Sequence, residues 1–375
     1  MSPRVGAEAL RNAWRDLAAS RQLTPDPAQA LVLDRLADLQ QRLETARDSR
    51  GAFARLMRWI PVGRPPATVR GLYLWGPPGR GKTLLVDVFF STLPVPGRRQ
   101  HFHHFMRDVH DRLRKLRRRP NPLDAVADQI ASEARVVCLD ELQVTDIADA
   151  MILYALFTAL LRRGVCLVCT SNQPPGDLYK DGLQRERFLP AIALLERELD
   201  VHETTGATDF RLRNLQRAEV YLPSGDRTTR SRLDALFEQL SHAPTAPAHK
   251  SIELNGRRIA VVREAHDIAW FEFSTLCEGP RGQSDYIELA QLYHTLIVSD
   301  VPVLGADQDD AARRFMGLID ELYDRGVKLV LSAAAEPTTL YRGTRLAEAF
   351  QRTVSRLIEM RSADYLARPH RADAG

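Results

Sequence analysis

The chain has 375 residues, of which 44% are hydrophobic and 27% are charged, and its formal net charge is +4. These values are ordinary for a soluble globular protein, and the mild positive charge supports no strong claim about nucleic acid. No apolar run approaches the roughly 18 residues that a transmembrane helix requires, so we do not expect an integral membrane protein. The length allows two or three domains, because single hydrophobic cores stop growing well before this size.

The N-terminal sequence and the cysteines both favour the cytoplasm. The sequence MSPRVGAEALRNAWRDLAAS contains Glu8 and Asp16 and no uninterrupted apolar run, so it predicts neither a secretory signal nor a transit peptide. The few cysteines suit a reducing compartment rather than a disulfide framework. Cys166 and Cys169 form a C-x-x-C pair, but strand alternation sends them to opposite faces of a sheet. We therefore predict that they are buried and form neither a metal nor a redox site.

In chain order, the first half predicts one helix and then an alternation of strands and helices. Residues 27 to 45 repeat apolar positions at helical spacing, and residues 62 to 70 are a linker rich in Pro and Gly. The alternation beyond them is typical of an α/β fold with a parallel sheet covered on both faces. The predicted strand and helix pairs are 71–75 with 82–93, 99–105 with 106–119, 135–139 with 146–162, and 164–170 with a helix around 183–197.

Between the first predicted strand and helix, residues 76 to 83 read GPPGRGKT and satisfy the P-loop pattern G-x-x-x-x-G-K-[ST]. The glycines let backbone N–H groups converge on phosphate oxygens, and the helix start adds the positive end of its dipole. Lys82 would reach the β- and γ-phosphates, and the Thr83 hydroxyl would bind Mg²⁺. A Gly/Pro-rich turn with an exposed lysine is the simpler alternative. The predicted ATP contacts are Gly76, Pro77, Pro78, Gly79, Arg80, Gly81, Lys82, Thr83, Leu84 and Gln29.

Two carboxylates end the predicted strand VVCLDE, residues 136 to 141. Asp140 is predicted to hold hydrated Mg²⁺, and Glu141 to orient and deprotonate a water molecule. Phosphoryl transfer mainly needs charge neutralisation and positioning, so one acid at the metal and one at the nucleophile suffice. We expect two neighbouring parallel strands to bring the P-loop and these acids to the same sheet edge. The implied cofactors are ATP and Mg²⁺.

Further polar residues are candidates for the same site. Asn172 ends the next apolar run and could orient the attacking water or contact the γ-phosphate; a helix N-cap or turn residue is the alternative. Arg185 and Arg187 open the helix predicted around 183–197. An arginine supplied by a neighbouring subunit would speed phosphoryl transfer by about 10³ to 10⁵, whereas a solvated arginine would do nothing. Gln29 is a candidate for reading the adenine edge, or is simply an exposed helix residue.

These motifs, in this order, resemble those of an AAA+ ATPase. A narrower resemblance, to the ZapE cell-division ATPase family and its mitochondrial AFG-one-like relatives, covers residues 24 to 366. The stretches that carry it are HFHHFMRDVH, CLDELQVTDIADAMIL, TSNQPPGDLY, GLQRERFLPAI, ARRFMGLIDELYDRGVKLVLSA and SRLIEM. The resemblance implies ATP hydrolysis in a nucleotide-dependent homo-oligomer. For the bacterial branch it implies FtsZ and division-ring proteins as partners at the inner face of the membrane, and the mitochondrial relatives imply protein quality control instead.

Four regions are predicted along the chain. They are an N-terminal helical segment at 1–65, an AAA+ P-loop ATPase core at 66–210, a helical connector or lid at 211–250 and a C-terminal α/β region at 251–375. The connector contains a predicted helix at 228–243. The C-terminal region opens with Asn255-Gly256, which is typical of a tight hairpin turn.

The C-terminal region contains a degenerate repeat. RRGVCLVCTSNQPPGDLY at 162–179 aligns without a gap to DRGVKLVLSAAAEPTTLY at 324–341, and either duplication or convergence explains the match. After a two-residue gap upstream, the alignment puts Val301 in the place of Glu141. We therefore expect a scaffold without chemistry. Candidates for a second sensor arginine are Arg313, Arg314 and Arg356, which surface salt bridges would explain equally well.

Two other functional classes stay open. The basic stretch 107–120 could track nucleic acid in a helicase loader, although Val109, Leu113 and Leu116 have helical spacing and favour a packed helix with a basic face. A P-loop kinase would need an acceptor pocket. The histidine-rich HFHHF at 101–105 lacks carboxylates or cysteines at ligand spacing, so we predict a strand end or a partner-facing loop rather than a metal site.

Overall fold

The computed structural model divides the chain into two compact units, residues 1–208 and 209–375. The described residues are 5–20, 26–56, 69–77, 79–205, 215, 218–241, 251–265 and 267–371. Within these ranges, no helix is long and apolar enough to cross a membrane. The four-region division of the sequence stays a prediction, and residues 221–241 supply a strand and a helix of the second unit.

The first unit is a five-stranded parallel sheet in the order β2-β3-β4-β1-β5. Its strands are β1 Gly71–Trp75, β2 Gly97–His101, β3 Val136–Asp140, β4 Cys166–Ser171 and β5 Leu199–Glu203. Its helices are α1 Val5–Ser20, α2 Pro27–Leu56, α3 Lys82–Ser91, α4 Phe102–Lys115, α5 Pro122–Glu133, α6 Ile147–Arg162 and α7 Leu189–Glu198.

Strand alternation builds two hydrophobic layers on this sheet. Leu72 and Leu74 of β1 pack with α1 to α3, whereas Tyr73 packs with α4 to α7. Cys166 and Cys169 also lie in opposite layers, and burial raises the pKa of the Cys166 thiol to about 12. Both thiols are buried and free, as the sequence predicts. The α/β class with a parallel sheet flanked by helices is therefore confirmed.

Three sequence predictions need correction in this unit. β1 and β3 are not neighbours, because β4 lies between them; their carboxyl ends still meet at one edge because all strands are parallel. In HFHHF only His101 belongs to a strand, as its last residue. The following residues begin α4 and form no loop, because Phe102 and Phe105 lie on one buried face of this helix. The last helix begins at Leu189 rather than near 183, because Pro190 suits a first helical turn and Gln184 is left-handed.

The second unit contains a mixed five-stranded sheet in the order β6-β12-β11-β10-β9 and a β7–β8 hairpin. Its strands are β6 Tyr221–Pro223, β7 Ser251–Leu254, β8 Arg257–Ala260, β9 Arg263–Ala265, β10 Ile268–Glu272, β11 Thr295–Val301 and β12 Lys328–Ala333. Its helices are α8 Arg227–Ser241, α9 Gln283–Leu292, α10 Asp309–Asp324, α11 Ala347–Met360 and α12 Ala363–Ala367. Asn255 and Gly256 both have positive φ, which confirms the predicted tight hairpin turn.

The second unit repeats the topology of the first in degenerate form. Its parallel strands β10-β11-β12-β6 match β2-β3-β4-β1 in order and direction. Tyr73 on β1 donates its hydroxyl to the carbonyl of Gln173 at 3.0 Å. Tyr221 on β6 donates likewise to Ala335 at 2.6 Å. Because Gln173 and Ala335 are equivalent in the sequence repeat, β6 is the counterpart of the strand that precedes the P-loop.

The equivalence after β3 differs by one residue from the sequence alignment. Glu141 has a φ of 52° and donates its backbone N–H to the Thr170 hydroxyl at 3.0 Å. Asp300 has a φ of 62° and donates to the Ser332 hydroxyl at 2.9 Å. Thus Asp300, not Val301, takes the place of Glu141. The single-sequence alignment missed this because the connection between the paired strands differs in length.

Candidate functional site

The P-loop forms a turn with backbone conformations that favour glycine. Gly76, Gly79 and Gly81 have φ values of 147°, 76° and 80°, in the region where a Cβ is strained. Gly81 precedes the first residue of α3 and offers no side chain to cap the helix. The N–H groups of the first turn therefore receive no bond from the N-cap side chain, which suits an anion such as phosphate. Pro78 lies outside the described residues.

Lys82 is held inside this turn. It is only 7% exposed, and its Nζ donates to the carbonyls of Gly76 at 2.6 Å and Pro77 at 2.9 Å. Nζ also lies 3.3 Å from Oδ1 of Asn172, at the end of the neighbouring strand β4. The structure thus brings two predicted site residues into contact, and their catalytic roles stay predictions.

Asp140 lies at the carboxyl end of β3, almost fully buried at 2% exposure. Arg99 of β2 donates to both of its oxygens, from Nε at 2.6 Å and from Nη2 at 3.2 Å. Arg99 also contacts Asp87 and the carbonyl of Thr83 on α3. Burial opposes the charge of Arg99, but the Asp140 and Asp87 carboxylates outweigh burial and raise the pKa of this guanidinium. The acidic strand and the P-loop helix are therefore joined through one buried arginine.

Glu141 has a strained, left-handed backbone, which is common where a functional side chain must be aimed in a particular direction. Its Oε2 lies 3.4 Å from Nε2 of His101, the last residue of β2. The hydroxyl of Thr170 on β4 accepts its backbone N–H. The position of the predicted base is thus set by β2 and β4 together.

The remaining candidates differ in their relation to the P-loop. Gln29 is 4% exposed rather than solvent-exposed, and its Nε2 donates to the Arg80 carbonyl at 3.3 Å, so it supports the turn directly. Leu84 is buried in the first turn of α3. Arg185 lies in a short 3₁₀ turn and donates to the carbonyl of Gly176 at 2.6 Å. It is not among the residues that Lys82 contacts.

The three candidates for a second sensor arginine have partners within the second unit. Arg313 pairs with Asp310 on the surface of α10, and Arg314 donates to the carbonyl of Cys277 at 3.1 Å. Arg356 is 9% exposed and pairs with two aspartates of α10. A sensor role for any of them stays a prediction.

The turn at the equivalent edge of the second unit has a different composition. Ser224, Gly225 and Asp226 connect β6 to α8. The Asp226 carboxylate accepts the backbone N–H of Thr228 at 3.1 Å. The Asp226 carboxylate thus occupies a backbone N–H at the start of α8 that a phosphate would need. Its negative charge would also repel an anion.

The two predicted metal ligands at the first site have the chemistry that suits Mg²⁺. The Thr83 hydroxyl and the Asp140 carboxylate are hard oxygen donors on two elements that Arg99 joins. In the part of the chain that the structure describes, no group of three or more His, Cys, Asp or Glu could hold a metal. Mg²⁺ usually binds through one or two protein oxygens, substrate phosphates and water, so the predicted site requires no such group.

Comparison with known proteins identifies the family. The model of the AFG1-like ATPase family matches residues 9–369. The chain belongs to this family. Cell division protein ZapE of Escherichia coli is 42% identical over 355 residues, which cover 93% of this chain and 94% of that protein. Lactation elevated protein 1 homolog B of Danio rerio is 37% identical over 350 residues, covering 80% of this chain and 69% of that protein.

Solved structures give weaker matches to this AFG1-like ATPase. AMPPCP-bound DnaA from Aquifex aeolicus has 12% identity and a TM-score of 0.35, covering 52% of each chain. The fold class therefore rests on the sheet topology described above. Because the chain belongs to this family, it is an ATPase, as the sequence predicts.

Two residues of the site escape sequence reasoning. Arg99 and His101 alternate on β2 and therefore lie on one face, where they meet Asp140 and Glu141. The alternation is visible in GRRQH, but the pairing of β2 with β3 and its register are not. In the sequence, these two residues look like part of a basic, histidine-rich stretch.

Proposed function

We propose that this chain hydrolyses ATP with Mg²⁺ at the edge formed by the P-loop and the ends of β3 and β4, and uses the turnover to regulate the FtsZ division ring. The observation that carries the ATP site is the contact of Lys82 with Asn172, together with the Arg99 bridge from α3 to Asp140. The 42% identity to cell division protein ZapE over nearly the whole of both chains supports the division role.

In this proposal, the backbone of residues 76–81 and the ammonium of Lys82 bind the phosphates, while Thr83 and Asp140 hold Mg²⁺. Mg²⁺ would supply charge neutralisation on the phosphate oxygens. Glu141 accepts the proton of the attacking water, and Asn172 orients that water or contacts the γ-phosphate. Gln29 keeps the turn in place through the Arg80 carbonyl.

A pair of variants tests the ATP site. Lys82→Ala should lose nucleotide binding, because the phosphates lose their main positive partner. Glu141→Gln should bind ATP with near wild-type affinity but release phosphate at least a hundredfold more slowly, since an amide cannot take the proton. Phosphate release is measured without any added acceptor, which a kinase would require. Equal phosphate release by Glu141→Gln and wild type would remove the base role of Glu141.

Sedimentation of purified FtsZ polymers with the wild-type chain tests the division role. We expect ATP to change the polymer fraction with wild type and not with Lys82→Ala. Glu141→Gln with ATP should stay bound to the polymer because its turnover is blocked. No co-sedimentation in any nucleotide state would refute the FtsZ partnership while leaving the ATPase intact.

Subunit mixing tests whether Arg185 acts in a neighbouring subunit of a homo-oligomer. Arg185→Ala keeps its own P-loop, and Lys82→Ala keeps its own Arg185. A mixture of the two should hydrolyse ATP faster than either alone if the arginine acts between subunits. Arg187→Ala, two residues along the same turn, tests the second candidate arginine in the same kind of mixture. Absence of rescue in a mixture shown to assemble would contradict the proposed role.

A further inference from the structure

We propose that Arg99 is a positioning residue for the metal ligands of the nucleotide site: it fixes the Asp140 carboxylate against the first turn of α3, so that Thr83 and Asp140 face Mg²⁺ together. The inference rests on the proposed function of this site and assigns a role to a residue that no P-loop pattern contains. Arg99 would act through Thr83 and Asp140 rather than by touching the nucleotide.

The geometry of Arg99 is that of a rigid connector. Its side chain is only 6% exposed. Nε and Nη2 donate to the two oxygens of Asp140, and Nη2 also donates to the Thr83 carbonyl at 3.2 Å. A planar guanidinium that holds a carboxylate by both oxygens fixes its orientation as well as its distance. A carboxylate oxygen can accept from more than one partner, so the Arg99 contacts do not by themselves prevent Asp140 from binding a metal.

The Arg99 cluster differs from an ordinary surface ion pair, because the guanidinium is buried and contacts more than one carboxylate. One guanidinium is placed against the two carboxylates of Asp87 and Asp140. Burying such a cluster carries a desolvation cost, and a neutral set of similar shape is often equally stable. A buried ion-pair cluster is therefore weak evidence for a purely stabilising role, and its fixed geometry fits a positioning role.

The second unit supplies the neutral version of the same contact. Trp270 of β10 occupies the position of Arg99 in the matched strand order, and Ser299 of β11 occupies the position of Asp140. Trp270 donates its indole N–H to the Ser299 hydroxyl at 3.0 Å, and both residues are buried. The second unit therefore joins the two equivalent strands through a hydrogen bond between uncharged side chains. The ion pair occurs in the unit whose turn carries the P-loop.

The test uses Arg99→Gln and Arg99→Lys, with Arg98→Gln as the matched control. Arg98 lies on the same strand and also forms two ion pairs, but these are partly exposed and are made with Asp108 and Glu133 on the other face of the sheet. Affinity for a fluorescent ATP analogue is measured in EDTA, and Mn²⁺ affinity of the ATP complex is measured by electron paramagnetic resonance. Both readouts are independent of turnover.

Positioning predicts a selective loss. Both Arg99 variants should bind metal-free nucleotide within twofold of wild type and lose at least tenfold in Mn²⁺ affinity, and Arg98→Gln should change neither. Lysine keeps the charge without the planar fork, so it should not rescue the metal affinity. If Arg99→Gln does not fold, Arg99→Lys carries the test, since it still neutralises the buried carboxylates.

Three results would overturn the proposal. Wild-type Mn²⁺ affinity in Arg99→Lys would show that charge alone suffices. Unchanged or higher Mn²⁺ affinity in Arg99→Gln would show that no positioning occurs. An equal loss of metal-free and metal-bound nucleotide affinity would make the role purely structural. A wild-type chain that binds no nucleotide would instead refute the proposed function itself.

Discussion

A methyl group added at Gly81 should damage the phosphate-binding turn in two separable ways. Gly81 has a φ of 80°, where an alanine is strained by about 1–2 kcal/mol. A Cβ there would lie 2.7 Å from Nε2 of Gln29, so that amide must move away from the Arg80 carbonyl. Losing this hydrogen bond costs about 1 kcal/mol. Gly81→Ala should therefore lower the free energy of unfolding of the first unit by about 2–3 kcal/mol.

Two further variants separate these contributions. Gly256 has a φ of 73° and nothing within 4 Å of an added Cβ, so Gly256→Ala measures strain alone, in the second unit. Gln29→Ala removes the same hydrogen bond. The double variant Gln29→Ala with Gly81→Ala should therefore lose about 1 kcal/mol less stability than the sum of the two single losses. Urea unfolding followed by tryptophan fluorescence gives the free energies. A Gly81→Ala cost no larger than that of Gly256→Ala, or strict additivity with Gln29→Ala, would refute the reasoning.

Two other predictions concern stability. Tyr73→Phe and Tyr221→Phe each remove one of two equivalent hydrogen bonds, so each should destabilise its own unit by about 1 kcal/mol. Hydrogen exchange of the β4 and β12 amides measures the two losses. A variant without any loss of stability would contradict the equivalence of the two units. Burial, with smaller contributions from neighbouring His101, Arg107 and His103, lowers the pKa of His104 from 6.5 to about 4. Burial lowers the pKa of His103 to about 4 as well. Protons then bind the unfolded chain preferentially below pH 6.5, so the first unit should lose stability from there towards pH 4. His104→Asn should make that loss smaller in urea titrations and leave the part due to His103; an unchanged slope would show that His104 does not contribute.

The sequence predicts the local elements of this fold better than their arrangement. Strand β1 and the start of α3 follow from an apolar run, glycines and a helix-forming stretch, which are local signals. The order of the strands is set by packing among distant segments, so the insertion of β4 between β1 and β3 could not be predicted. The start of α4 is hard to predict because the histidines in HFHHF mask a helical spacing of buried phenylalanines.

The same distinction holds for the site. The P-loop and the acidic pair carry local patterns, and the structure places them at one edge as expected. Arg99 and His101 belong to the site only through the pairing of β2 with β3, which no short pattern encodes. Burial of Gln29 against the P-loop likewise depends on the packing of α2, not on its own sequence neighbours.

A structure of the Glu141→Gln variant with ATP and Mg²⁺ tests the central claim most directly. We predict the triphosphate in the turn of residues 76–81, with Lys82 on its β- and γ-phosphates and the metal between Thr83 and Asp140. The Arg99 contact to Asp140 should persist beside the bound metal. Nucleotide bound elsewhere, or a metal that Asp140 does not approach even through water, would contradict the account.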